Sequence, residues 1–190
     1  MKLVYINCCM RPESRTLRIA EPLIAELSKR YEIETISLEG SDYPCVDSKV
    51  LIDRNNGIVP EEYADTARRI AAADRIVIAA PFWDMSFPSI LKVFFENMSL
   101  FGITFNTDER ECYGLCRCDK VLYITTRGMN ITTGSPLEQA TPYLNALSFL
   151  WGLGEIITVS AQNLDYSSPE EIETKIHDAI RRGLDICKEF

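Results

Sequence analysis

Short apolar runs alternate with helical patterns along the whole chain, and that alternation leaves few folds open to it. Leu3 to Ile6 is a bare apolar run, right for a strand buried on both faces. Leu17, Ala20, Leu23, Ile24 and Leu27 then recur at helical spacing through Arg30, with Pro22 inside the pattern predicting a kink or local distortion. Glu32 to Leu38 alternates polar and apolar, the mark of a strand nearer a sheet edge. Further strands are predicted at Arg75–Ala80, Val121–Thr125 and Ile156–Ser160. Helices are predicted to open at Pro60-Glu61-Glu62, to span Pro88–Ser99, and to open at Ser135-Pro136 and at Pro169-Glu170-Glu171. Glycine, proline and asparagine between Gly40 and Asn56 read as a long loop.

Five strands separated by helices predict an α/β fold, a doubly wound parallel sheet covered on both faces. The 190 residues fit one domain, 1–190, with no internal repeat, low-complexity tract or linker. Apolar residues at 46% and charged residues at 25% match a folded globular chain. The net charge of -8 argues against a nucleic-acid surface, which needs a basic stripe against phosphate. No apolar run reaches the length of a membrane span, and the start, Met1 to Asn7, lacks the apolar core of a signal peptide. Seven cysteines, an odd number, then read as reduced thiols in the cytoplasm.

The first strand-to-helix loop separates the two common strand orders of such sheets. A dinucleotide fold needs glycines there, yet Asn7-Cys8-Cys9-Met10-Arg11-Pro12-Glu13-Ser14-Arg15-Thr16 contains none. The loop offers two hydroxyls, two guanidinium groups and a helix amino terminus, which suit a phosphate monoester held end-on, as FMN carries. Read alone, it fits equally well an N-capping Ser14 with solvated arginines. After the third strand, Phe82, Trp83, Met85 and Phe87 crowd a loop at the carboxyl end of a central strand, where α/β sheets bind ligands. Those side chains would cover a flat ring system, plug the space between loop and core, or meet a second subunit. Thr125-Thr126-Arg127-Gly128-Met129-Asn130 leaves the fourth strand toward the same crevice with backbone N–H groups and one cation.

Together these stretches resemble the FMN-dependent NADH-azoreductase and quinone reductase family, of flavodoxin-like fold. The likeness runs through Ala80-Pro81-Phe82-Trp83-Asp84-Met85-Ser86-Phe87-Pro88-Ser89-Ile90-Leu91-Lys92 and Phe101-Gly102-Ile103-Thr104-Phe105. It continues in Thr126-Arg127-Gly128, Thr141-Pro142-Tyr143-Leu144 and Phe149-Leu150-Trp151-Gly152. The resemblance implies the strand order 2-1-3-4-5 and bound FMN. It places Ser14, Arg15 and Thr16 at the phosphate with Cys9 nearby. Pro81, Phe82, Trp83, Asp84 and Met85 would then line the isoalloxazine, with Thr126, Arg127 and Gly128 at its pyrimidine end. It also implies a homodimer with flavin at the subunit boundary.

Three positions depart from the family pattern: Cys8-Cys9 where hydroxyls are usual, Met129 for a second glycine, and Asp84 for asparagine. A carboxylate at 84 near the ring would lower the flavin's potential. Cys112, Cys116 and Cys118 lack the paired two-residue spacings of a structural zinc site and read as a reduced surface hairpin, so no metal site is assigned. His177 reads as part of a solvated helix face. The family resemblance implies that NADH or NADPH gives hydride to the flavin and that a quinone, azo compound or similar acceptor then takes its place, in two-electron ping-pong turnover. The flavin carries the chemistry, so no side chain is assigned as catalytic acid or base. A flavodoxin-like one-electron carrier docking acidic charge on basic redox partners is the alternative. A flavin-free interaction protein that kept the fold is a third.

Overall fold

A computed structural model describes residues 1–190. In chain order the elements are β1 (Lys2–Asn7), α1 (Arg15–Leu27), β2 (Glu32–Ser37), α2 (Ser48–Asn55), α3 (Glu61–Ala71), β3 (Arg75–Ala79) and α4 (Ser89–Met98). There follow β4 (Phe105–Thr107), β5 (Cys112–Gly114), β6 (Lys120–Thr126), α5 (Ala140–Trp151), β7 (Glu155–Ala161) and α6 (Pro169–Glu189). The main sheet is parallel in the order β2-β1-β3-β6-β7, and β4 and β5 form a separate antiparallel hairpin. Counting only main-sheet strands, this is the expected 2-1-3-4-5. Its first strand pairs register as Leu3 with Ile33 and Leu3 with Arg75.

The three central strands are apolar through their middles because both of their faces are buried there. Val4, Ile6, Ile76, Ile78, Val121 and Tyr123 face a core shared with α3, α4 and α5. Leu3, Tyr5, Val77, Leu122 and Ile124 face the opposite core, against α1 and α6. Each central residue thus removes its apolar surface from water, at about 25 cal/mol per Å². α1 and α6 cross closely at Gly183, where a Cβ would stand 2.4 Å from a Leu23 methyl. α1 runs unbroken through Pro22, its buried Ile19, Leu23 and Leu27 offsetting the missing backbone donor.

Two expectations need correcting. The stretch from Gly40 to Asn56 is not all loop, because Ser48–Asn55 is helical. Asp47 caps α2 by accepting from the Val50 amide at 2.9 Å, and Arg54 ties the helix to the Glu96 carbonyl at 3.0 Å. None of its residues is buried, so it carries no apolar periodicity. The helix expected from Ser135-Pro136 begins at Ala140 instead. Glu138 caps it, one carboxylate oxygen accepting from the Ala140 and Thr141 amides at 2.9 Å each. Ser135 closes the turn before it, its hydroxyl accepting from the Leu137 amide at 3.3 Å.

The hairpin residues split in environment: Cys112 is exposed, whereas Cys116 is half-buried and Cys118 buried, so the cluster is not wholly at the surface. The Gly-Ile-Thr-Phe segment closes the end of α4. Gly102 takes φ +75°, and the buried Thr104 hydroxyl donates to the Met98 carbonyl at 2.9 Å while accepting from the Leu100 amide at 3.0 Å.

Candidate functional site

The carboxyl ends of β1, β3 and β6 open onto a cavity of about 470 Å³. It is lined by the loop after β1 (Met10, Arg11, Glu13, Ser14 and Arg15) and the loop after β3 (Pro81, Phe82 and Trp83). The exits of β6 (Thr126, Arg127 and Gly128) and β7 (Leu164 and Asp165) close it. A hollow of about 630 Å³ lies away from these ends, between β2 and α3. Size alone would favour that hollow. Its Arg69 is paired with Glu34 at 2.6 Å and its Arg68 with Asp65 at 2.5 Å, so both of its guanidinium groups are already engaged. The site is therefore assigned to the strand ends.

One end of the cavity is built to receive an anion. The amides of Met10, Arg11, Arg15 and Thr16 donate to no group of the chain, and the last two belong to the first turn of α1. Ser14 is the N-cap, its hydroxyl accepting from the Leu17 amide at 3.3 Å. A terminal phosphate fits this donor set, since the loop presents N–H groups to a point rather than along a track. Thr16 supplies its amide only: its hydroxyl is buried against the Thr126 hydroxyl at 2.6 Å, pinning α1 to β6. Cys9 also lies outside the lining, with its thiol buried against the Ala79 carbonyl at 3.8 Å. Burial pushes the Cys9 thiol up and Cys8 up to about 12, so neither offers a thiolate near neutral pH.

The other end is aromatic. Trp83 and Ser86 exchange backbone bonds of 2.9 and 2.8 Å around a two-residue turn. Asp84 and Met85 occupy that turn at φ +48° and +66°. Such a turn favours asparagine and glycine, and each ordinary side chain held there costs on the order of 1 kcal/mol. Trp83 and Met85 remain 38% and 37% exposed. Asp84 is exposed, and like Met85 it stands outside the cavity lining at the turn's tip. Phe87 is buried instead, edge-on to Phe95 and Tyr143 with ring centroids 6.0 and 5.2 Å apart. It anchors the loop in the core rather than forming a wall.

Arg127 supports this end from beneath. Its guanidinium is buried, donates to the Ile131 carbonyl and the Thr133 hydroxyl at 2.9 Å each, and lies 3.9 Å from the buried Glu138 carboxylate. It also sits 5.4 Å from the centre of the Phe82 ring. Burial lowers the Arg127 pKa, and Glu138 opposes that shift. The Gln139 amide donates to the Met85 carbonyl at 2.9 Å, carrying the order of this loop to the strained turn. At the β6 exit Gly128 leaves room for the Asp165 carboxylate, which a Cβ would meet at 1.9 Å.

Of the residues singled out in the sequence, Ser14, Arg15, Pro81, Phe82, Trp83, Thr126, Arg127 and Gly128 meet at one cavity. Cys9 and Thr16 lie behind it, and Asp84 and Met85 lie at its rim. Glu13, Leu164, Asp165 and the supporting Glu138 carry no motif. For Asp165 the available signal was its place just past the fifth main-sheet strand.

Comparison with known proteins gives the following. The family described as flavodoxin-like fold matches residues 1–184. An FMN-dependent NADH:quinone oxidoreductase of Clostridium beijerinckii is 33% identical over 199 residues, covering 100% of this chain and 99% of that protein. FMN-dependent NADH:quinone oxidoreductase 2 of Clostridium acetobutylicum is 31% identical with the same coverage. Among solved structures, an FMN-dependent NADH-azoreductase of Bacillus anthracis in complex with FMN superposes with a TM-score of 0.83. It is 21% identical, over 99% of this chain and 98% of that one, a likeness of fold.

Proposed function

Because the chain belongs to the flavodoxin-like fold family, and to the branch of it that holds the FMN-dependent NADH:quinone oxidoreductases, we propose that it is an FMN-dependent oxidoreductase. In this reading it takes electrons from NADH and gives them to quinones or azo compounds. The observation that carries the reading is the two-ended cavity, with unbonded amides at one end and exposed aromatic surface at the other. When bound, FMN supplies hydride chemistry, accepting from a dihydronicotinamide and reducing an acceptor.

The chain's own residues bind, orient and shield. The amides of Met10, Arg11, Arg15 and Thr16, with the Ser14 hydroxyl and the Arg15 guanidinium, hold the phosphate. Pro81, Phe82 and Trp83 line the ring, with Asp84 and Met85 at its edge, and Thr126, Arg127 and Gly128 bound its pyrimidine end. Cys9 backs the phosphate loop from the core. No side chain is assigned as acid or base, because the hydride chemistry would belong to the bound flavin. Phe82 and Trp83 would wall the space in which NADH or NADPH and then the acceptor lie against the flavin in turn, and that successive occupancy is the basis for two-electron, ping-pong turnover.

We assign the whole of 1–190 to one FMN-binding domain working as a homodimer. Phe101, Leu137 and Phe149, 65%, 57% and 76% exposed, are the apolar surface a second copy would cover. The seven free cysteines suit the reducing cytoplasm, and no helix is long and apolar enough to cross a membrane. Initial rates measured with NADH and a quinone varied together test the reading. Parallel double-reciprocal lines are expected, and intersecting lines would remove the ping-pong mechanism.

A further inference from the structure

Asp165 is an exposed acid that lines the anion-binding end of the cavity. Its amide donates to the Gly128 carbonyl at 3.0 Å, and one carboxylate oxygen takes the Arg15 guanidinium at 2.8 Å. The other oxygen lies 1.9 Å from where a Cβ on residue 128 would stand, so the carboxylate sits between the first turn of α1 and the exit of β6 with 64% of its side chain open to solvent. The charges lining the cavity cancel, Arg11 and Arg15 against Glu13 and Asp165, apart from the already paired Arg127. Two further polar groups of this loop are committed elsewhere, the Thr16 hydroxyl to Thr126 and the Cys9 thiol to the core. What remains for a dianion is a set of neutral donors, the Arg11 guanidinium near the Trp83 ring, and Arg15, which is shared with a carboxylate.

We propose that Asp165 sets the affinity of the site for the phosphate of FMN, weakening it so that the flavin exchanges with free flavin instead of remaining fixed through many turnovers. The proposal rests on the FMN reading of the cavity. A carboxylate beside a dianion opposes its binding through like charge, and it also divides the attraction of Arg15. Neither effect touches a flavin that lacks the phosphate. The residue therefore discriminates between FMN and riboflavin, and its influence fades as salt screens it.

The test measures FMN and riboflavin binding by quenching of flavin fluorescence, in the wild type, Asp165→Asn and Asp165→Ser. Both variants remove the charge, and the first keeps the shape of the side chain. FMN is expected to bind about tenfold more tightly to either variant and to dissociate correspondingly more slowly at low salt. Riboflavin should change less than twofold, and the FMN gain should shrink at high salt. If both flavins shift together, or if FMN binding weakens, Asp165 is a structural brace and the proposal falls. If the wild type binds neither flavin, the FMN reading itself falls, which is a distinct result.

Discussion

The two ends of the cavity are built by opposite means. At the phosphate end the first turn of α1 presents two of the four free amides, Ser14 caps it, and the buried Thr16–Thr126 contact pins it to β6, while Met10 and Arg11 offer theirs from the loop before it. At the ring end the wall is a turn whose two central residues have positive φ without being glycine, and whose Trp83 and Met85 stay more than a third exposed. That turn is held by the loop 127–139, which is organised around one buried ion pair. Binding thus rests on backbone donors of a helix start and the loop before it, whereas the reactive face rests on a few specific side chains. Changes at the first end should alter affinity, and changes at the second should alter stability and reactivity.

The largest effect is expected at Glu138. Glu138→Ala leaves Arg127 buried without its counter-charge and uncaps α5, which should cost about 3–5 kcal/mol in urea unfolding. Glu138→Gln, which keeps a capping oxygen, should cost less. By contrast Arg15→Ala breaks an exposed pair, and its effect on stability should stay under about 1 kcal/mol. Equal losses at the two positions would break the contrast between the ends.

The next effect separates the two hydroxyls of the phosphate loop. Ser14→Ala should weaken FMN binding by about 1–2 kcal/mol, followed by fluorescence titration. Thr16→Val should instead lower the unfolding midpoint while leaving FMN affinity nearly unchanged, because its hydroxyl already bonds Thr126.

How legible these ends were in the sequence differs for the same physical reason. The three central strands were readable because burial on both faces leaves continuous apolar runs, β2 by its polar–apolar alternation, and the phosphate loop because capping leaves Ser at a helix start. α2 was not, since a helix with no buried face has no periodicity to read. The Arg127–Glu138 pair was equally hidden. Charged residues in a loop look solvated, and only tertiary packing reveals that both are fully buried. Thr16 was legible as a hydroxyl in the right loop, but its orientation depends on Thr126, 110 residues away.

A smaller effect concerns pH at the phosphate end. Burial holds the Cys8 thiol at about 12, above its ordinary 9.0. A group raised in this way stabilises the fold fully below its unfolded value and loses that contribution as pH rises toward the folded one. The stability lead of the wild type over Cys8→Ala should therefore narrow between about pH 9 and 12, read as urea midpoints at several pH values. A gap that widens over that range would contradict the buried placement.

The smallest effect sharpens the ring end. Asp84→Asn removes a negative charge from the rim, and asparagine also tolerates positive φ better. The flavin midpoint potential should rise by roughly 30 mV if the charge is worth about 1.4 kcal/mol, measured by spectroelectrochemistry. No change in potential would place the carboxylate too far from the ring to act on it.

The most direct test of the account is an anaerobic titration of the FMN-loaded protein with NADH, followed by a quinone. The two-ended cavity predicts that one NADH bleaches the visible absorption of one flavin in a single two-electron step, and that one quinone restores it. If NADH leaves the spectrum unchanged while a chemical reductant bleaches it in two resolved one-electron stages, the aromatic face is not a hydride site. The protein would then be an electron carrier.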